Sequence, residues 1–235
     1  MNLFSLLKGS PLQTEPVWRN LPTCHPTKDL YYPEHFGARE TAILQAFANL
    51  DSGIDHDAAP KDRWFEYGKP EDLARLFDRS VFHESRFSDG TFPVWYGSDS
   101  QECSRAETIF HVLRQVSKDR PPNSTKPIRC ERVMYRATIS CQNAVDLVPH
   151  VDRFPALLED GPPYSYCPKV GAWARNQKVD GIKTLSKRHD KGACYAVIER
   201  EAIVESRPSS YFSVIVEGNG EWSVETVSVL NESSR

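Results

Sequence analysis

Residues 93–140 constrain the fold more than any other part of the chain. A short apolar strand is expected over 93–97, followed by Ser98-Asp99-Ser100, a loop rich in helix-capping side chains. A helix follows from about Gln101 to Ser117, with Ala106, Ile109, Phe110, Leu113 and Val116 on one face. Asp119-Arg120-Pro121-Pro122-Asn123-Ser124 stops it. A second strand is expected from about Arg132 to Ser140, where Val133, Tyr135, Ala137 and Ile139 alternate with Met134, Arg136 and Thr138. Beyond this point the sequence favours strands, at Ala193–Ile198 and at Tyr211–Glu217 and Trp222–Val229, the last two flanking the hairpin signal Gly218-Asn219-Gly220. The regular alternation of strand and helix that builds a parallel dinucleotide-binding sheet is missing, and so is its glycine-rich phosphate loop. The order predicts an α+β fold with antiparallel sheets.

The remaining segments read less regularly. Residues 1–60 are expected to form an arm around one helix, since Ala42, Ile43, Ala46, Phe47 and Leu50 recur at helical spacing before Asp51-Ser52-Gly53 ends the run. A short helix is expected over 69–79, opened by Pro70-Glu71-Asp72. The Pro-rich stretch 149–170 has no clear period. The domain boundaries predicted are thus an extension over 1–60 and a main domain over 61–235. The 17 prolines outnumber the 12 glycines and predict long, stiff connections; the 5 Trp, 9 Tyr and 11 Phe suffice for one sizeable core.

Composition narrows the function. A formal net charge of −3 argues against nucleic acid as the main partner, because phosphate binding needs a basic field. No run approaches the roughly 18–20 apolar residues of a membrane span. The opening Met1-Asn2-Leu3-Phe4-Ser5-Leu6-Leu7-Lys8 is too short in its apolar part for an export signal, so a cytoplasmic protein is expected. The six cysteines, at 24, 103, 130, 141, 167 and 194, form no CxxC pair and have no zinc spacing, so reduced thiols and no metal are expected. Cys24-His25 are adjacent in a Pro-flanked loop, and sequence neighbours rarely face each other as a catalytic pair.

The chemistry-bearing stretch is Ser85-Arg86-Phe87-Ser88-Asp89-Gly90-Thr91-Phe92-Pro93-Val94-Trp95-Tyr96, then Ser98-Asp99-Ser100 and Ala106-Glu107-Thr108. Ten residues separate Arg86 from Tyr96 and eleven separate Tyr96 from Glu107. A later block, Asp180-Gly181-Ile182-Lys183-Thr184-Leu185-Ser186-Lys187-Arg188 with Gly192-Ala193-Cys194-Tyr195-Ala196-Val197, completes the pattern. Together these resemble the RES-domain family over roughly residues 60–200. The family's Arg, Tyr, Glu and Ser fall on Arg86, Tyr96, Glu107 and Ser186. The family commonly has Gly before the Arg and Trp-Asn after it, where this chain has Ser85, Phe87 and Ser88. An Arg or Tyr on the first strand is also usual there, with Arg63 and Tyr67 as weak matches.

The resemblance implies an ADP-ribosyltransferase-like fold of split antiparallel sheets with flanking helices. It also implies a bacterial toxin that cleaves the nicotinamide–ribose bond of NAD, by hydrolysis or phosphorolysis. In that family a helix-turn-helix antitoxin or an immunity protein typically covers the cleft, and an effector delivered into another cell is a variant. NAD is then a substrate and no cofactor is permanently bound. In this scheme Arg86 presents a fork of donors to phosphate, and Tyr96 or Trp95 stacks on the cationic nicotinamide. Glu107 stabilises the oxocarbenium-like ribose, Ser186 orients Glu107 or a phosphate oxygen, and Ser88 adds a substrate contact. Lys183, Lys187, Arg188 and Lys191 form either a phosphate-attracting rim or a solvated loop. His83 and His111 are candidates for lining the pocket and for tuning Glu107, although an ordinary structural histidine and an exposed helical pair are the plainer readings. The alternatives are transfer of ADP-ribose to a protein, a nucleotide-binding module without catalysis, and a thiol hydrolase using Cys24 or Cys194.

Overall fold

The computed structural model describes residues 2–22, 77, 82–121, 123–161 and 163–227. The chain divides into two compact units, one of Met1–Pro22 with Gly68–Arg235 and one of Thr23–Tyr67. All described residues belong to the first. The expected helix near 38–50, the pair Cys24-His25 and the candidates Arg63 and Tyr67 lie outside the described residues. So does the expected helix over 69–79, apart from Phe77.

The described strands are β1 (Ser10–Pro22), β2 (Glu84–Ser85), β3 (Ser88–Asp89), β4 (Trp95–Ser98), β5 (Ile128–Asp146), β6 (Gly181–Leu185), β7 (Ala193–Val197), β8 (Ile203–Val216) and β9 (Trp222–Val227). Among the described residues two α-helices accompany them, α1 (Gln101–Asp119) and α2 (Cys167–Asn176). Seven strands join in the order β1-β4-β7-β6-β5-β8-β9, and β1 also pairs with β5, so five of them close a ring. The fold is α+β and sheet-dominated, as expected. One pair, β5 with β6, is parallel, and every other pairing is antiparallel. The hairpin around Gly218-Asn219-Gly220 forms as read, with Val216 opposite Trp222 and Gly220 at a φ of 88°.

The N-terminal segment departs from the sequence reading. Residues 10–22 are a strand, not an irregular arm, and they run antiparallel along β5 from Ser10↔Ala144 to Pro22↔Arg132. The strand contains Pro11, Pro16 and Pro22. Pro16 sits where the register shifts between Thr14 and Val17, a bulge position at which a missing amide costs little.

The Pro-rich stretch 149–170 also holds structure that its sequence hides. Short 3-10 turns occupy Val148–His150 and Pro155–Leu158, and α2 begins at Cys167 with Pro168 in its first turn. No side chain at the cap position closes its N-terminus. Instead Glu159 accepts hydrogen bonds from the amides of Ser165, Tyr166 and Cys167 at 2.7–3.2 Å. Burial would raise the Glu159 carboxyl, but these bonds outweigh it and hold the group below its usual range.

The core has three parts. Phe87, Phe92, Leu147, Leu157, Val170 and Ile182 pack on the α2 side, where Phe4 stacks on Trp173 with centroids 5.6 Å apart. Val17, Trp95, Ala137, Ile139, Tyr195 and Val197 form a second cluster drawn from β1, β4, β5 and β7. Helix α1 closes the third over β5 and β8, burying Val112 and Val116 against Met134, Phe212 and Val214. The stripe that α1 buries is Cys103, Ser104, Thr108, Val112 and Val116. It is rotated from the expected one, leaving Ala106 and Phe110 partly exposed.

Candidate functional site

Helix α1 is held at its start and along its length. The Ser100 hydroxyl accepts from the Cys103 amide at 3.1 Å and caps it. The Asp99 carboxylate accepts from the Ala193 amide at 2.8 Å and ties the loop to β7. Asn20 of β1 donates to the Ser104 carbonyl at 3.1 Å and accepts from the Thr108 hydroxyl at 2.8 Å. These contacts fix the rotation of the helix, and with it the half-buried Glu107 beside Thr108.

Glu107 meets the end of β6. The Ser186 hydroxyl donates to Glu107 Oε1 at 2.6 Å and accepts from the amides of Arg188 and His189, each at 3.0 Å. The turn after β6 is therefore folded around one hydroxyl whose proton is committed to the carboxylate. Cys194 on the neighbouring strand brings its Sγ within 3.8 Å of the same Oε1. Its hydrogen bond with Cys103, its burial and the Glu107 charge push the Cys194 thiol up, which opposes a thiolate nucleophile there.

Arg86 reaches the adjacent residue. Its Nη1 donates to the Leu185 carbonyl at 3.2 Å, one residue before Ser186, and its Nη2 donates to the Leu157 carbonyl at 2.7 Å and to Thr184 Oγ1 at 3.4 Å. The guanidinium lies over the Phe87 ring, 5.3 Å from its centroid. Arg86 and Glu107 thus converge on Leu185-Ser186 from two different elements. Two of its donors hold the walls of the site together, so the guanidinium acts there as a fixed charge and a staple, not as a free fork.

Tyr96 fixes the turn that carries Arg86. Its hydroxyl accepts from the Phe87 amide at 2.9 Å and shares a hydrogen bond of 2.9 Å with Ser85 Oγ, bracketing Arg86 on both sides. Burial pushes the phenol up to about 12. Tyr96 is a positioning residue here, and its hydroxyl is taken. Trp95, next along β4, faces the opposite side and is 1% exposed within the second core cluster, so it is withdrawn as a stacking surface. Ser88 is likewise corrected. It is 1% exposed, donates to the Phe92 carbonyl at 2.6 Å and accepts from the Gly90 amide at 3.1 Å, closing its own turn. Helix α2 lies against this turn so closely that a Cβ on Gly171 would fall 1.8 Å from the Phe87 carbonyl oxygen.

Several neighbours escaped the sequence reading. Arg19 of β1 donates to the Tyr96 carbonyl at 3.4 Å and lies over Trp95, 5.5 Å from the ring centroid; burial lowers its pKa to about 10. It is an arginine on the first described strand. Arg188, expected in either a phosphate-attracting rim or a solvated loop, stacks over Phe110 at 3.4 Å and pairs with Asp160. Lys183 pairs with Asp146 at 3.5 Å. Tyr164, in the stretch without a period, has its hydroxyl pushed up by burial, while the charges of Arg86, Glu107 and Arg188 also act on it. His83 is exposed, and His111 places its ring against Phe110 at 5.3 Å. Among the described residues, no group of three or more His, Cys, Asp or Glu side chains is arranged to hold a metal ion, and no helix is long and apolar enough to cross a membrane.

The RES domain model matches residues 63–217, about two thirds of the chain, and the chain belongs to that family. No curated protein sequence matches it. Among solved structures, the M. tuberculosis MbcT-MbcA toxin-antitoxin complex contains a chain similar to this one, at 12% identity over 86% of each chain with a TM-score of 0.40.

Proposed function

We propose that this chain breaks the bond between nicotinamide and ribose in NAD, as a toxin that depletes the dinucleotide. The observation that carries the reading is the Ser186–Glu107 bond of 2.6 Å, one residue from the carbonyl that anchors Arg86. A carboxylate held by one hydroxyl beside a fixed guanidinium suits a substrate with a cationic leaving ring and an anionic pyrophosphate. Ser186 engages one carboxylate oxygen and leaves the other for a ribose hydroxyl, a contact that strengthens as the sugar gains positive charge. Arg86 supplies the field that attracts the pyrophosphate.

The balance of the step is simple. The C–N glycosidic pair leaves with nicotinamide, which departs neutral, and the oxocarbenium carbon is taken by water or phosphate. With water the products are ADP-ribose, nicotinamide and one proton. Transfer to a protein side chain uses the same site with a different acceptor. A partner that covers the cleft, of the helix-turn-helix antitoxin kind implied by the resemblance, would keep the enzyme silent in the cytoplasm.

The test is incubation of purified protein with NAD, with and without inorganic phosphate, and identification of products by chromatography and mass spectrometry. Release of nicotinamide by wild type and its loss in Glu107→Gln, which keeps an oxygen for Ser186, is the expected result. Equal turnover by the two proteins refutes the reading.

A further inference from the structure

We infer that Tyr164 is the aromatic wall of this site, the ring against which the nicotinamide of the dinucleotide rests. The inference builds on the function proposed above. A cationic planar ring needs an aromatic face, and the two expected from the sequence are spent, Trp95 in the core and Tyr96 on the Arg86 turn. Phe110 already carries the Arg188 guanidinium at 3.4 Å. Tyr164 is half-buried, not closed into the core as Trp95 is.

The backbone around Tyr164 is pinned on both sides. Before it, three arginines hold Leu157–Gly161: Arg86 through the Leu157 carbonyl at 2.7 Å, Arg188 through Asp160, and Arg114 through the Gly161 carbonyl at 3.3 Å. After it, Glu159 binds the amides of Ser165 and Tyr166. Two of these anchors, Arg86 and Arg188, are the residues that border Glu107 and Ser186. Gly161 backs the ring, since a Cβ there would stand 2.4, 2.6 and 2.7 Å from three of its carbons. The ring is therefore set in place before substrate arrives, which lowers the ordering cost of binding. That the charges of Arg86, Glu107 and Arg188 all act on its hydroxyl agrees with a position near the site.

The experiment separates binding from turnover. NAD is titrated calorimetrically into Glu107→Gln, which holds substrate without cleaving it, and into the same protein carrying Tyr164→Ala, Tyr164→Phe or Gly161→Ala. Loss of the ring is expected to weaken binding about 5- to 20-fold. Phe restores most of the affinity, and Gly161→Ala, which displaces the ring, weakens binding in the same direction. In the otherwise wild-type enzyme Tyr164→Ala raises KM for NAD more than it lowers kcat, with an unchanged melting temperature. If Glu107→Gln binds NAD and Tyr164→Ala binds it equally well, the inference is overturned and the proposed function stands. A Tyr164→Ala protein that has lost its fold is replaced in the test by Tyr164→Leu, where undiminished affinity is likewise fatal. If wild type releases no nicotinamide from NAD and Glu107→Gln does not bind it, both fall.

Discussion

Replacing Ser186 by alanine removes one hydroxyl that makes three hydrogen bonds. The bond to Glu107 is 2.6 Å long and charge-assisted, a class worth about 1.5–3 kcal/mol. The two bonds from the Arg188 and His189 amides are ordinary in length, at 3.0 Å, and lie in a half-buried turn where water replaces part of each. They add about 0.5–1 kcal/mol apiece. The expected loss of stability is therefore about 2.5–5 kcal/mol, read from the urea midpoint at constant m-value. Glu107 loses its orientation at the same time. If the full value of the Glu107 bond is expressed in the transition state, kcat falls by roughly 10- to 100-fold, since about 1.4 kcal/mol is one factor of ten. KM for NAD changes less than threefold, because Ser186 acts through Glu107 and not on the substrate. Ser186→Thr, which keeps the hydroxyl, recovers most of kcat. An alanine variant that stays within twofold of wild type in kcat, with an unshifted urea midpoint, would refute the reasoning.

Three further outcomes follow from the same geometry. The Glu159 carboxyl lies below its ordinary value of 4.5 in the folded protein, so its contribution to stability is present above that pH and is lost as pH falls through the folded pKa. The melting-temperature gap between wild type and Glu159→Gln should thus shrink on acidification below about 4.5; a gap that widens contradicts the assignment. Gly171→Ala gains about 1 kcal/mol of helix propensity but sets a Cβ 1.8 Å from the Phe87 carbonyl oxygen, and a net loss of about 2 kcal/mol or more is expected in urea unfolding, with no change or a gain disproving the close approach. Cys194, its thiol pushed up beside Cys103 and Glu107, should alkylate far more slowly than an unperturbed thiol at neutral pH, and rapid labelling mapped by mass spectrometry would contradict this.

Much of the scaffold was legible because it is written in local periods. The strand at 93–97, the capped helix from 101 and the hairpin around 218–220 all appear close to where alternation, capping and turn residues place them. Glu107 and Ser186 were both legible as family positions, with Ser186 left to orient either Glu107 or a phosphate oxygen, and the structure joins the two by a hydrogen bond. What escaped depends on distant partners. Residues 10–22 become a strand because β5 offers them an edge more than a hundred residues away, which no local pattern announces. Helix α2 starts on a carboxylate eight residues upstream, outside any capping box. Tyr96 and Trp95 were read as equivalent aromatics, but adjacent residues of a strand face opposite ways, and only the sheet decides which face is the core. Arg86 looked like an open phosphate fork because nothing in its own turn reveals the carbonyls of Leu157 and Leu185.

The closed circuit of five strands has a practical corollary for anyone trimming this protein. The family match begins at residue 63, yet the strand that completes the circuit, Ser10–Pro22, precedes it. A fragment cut to the matched span would leave one long flank of β5 with unsatisfied amides and carbonyls, a template for intermolecular pairing. Such a fragment should aggregate where the whole chain stays dispersed, and its inactivity would then say nothing about chemistry.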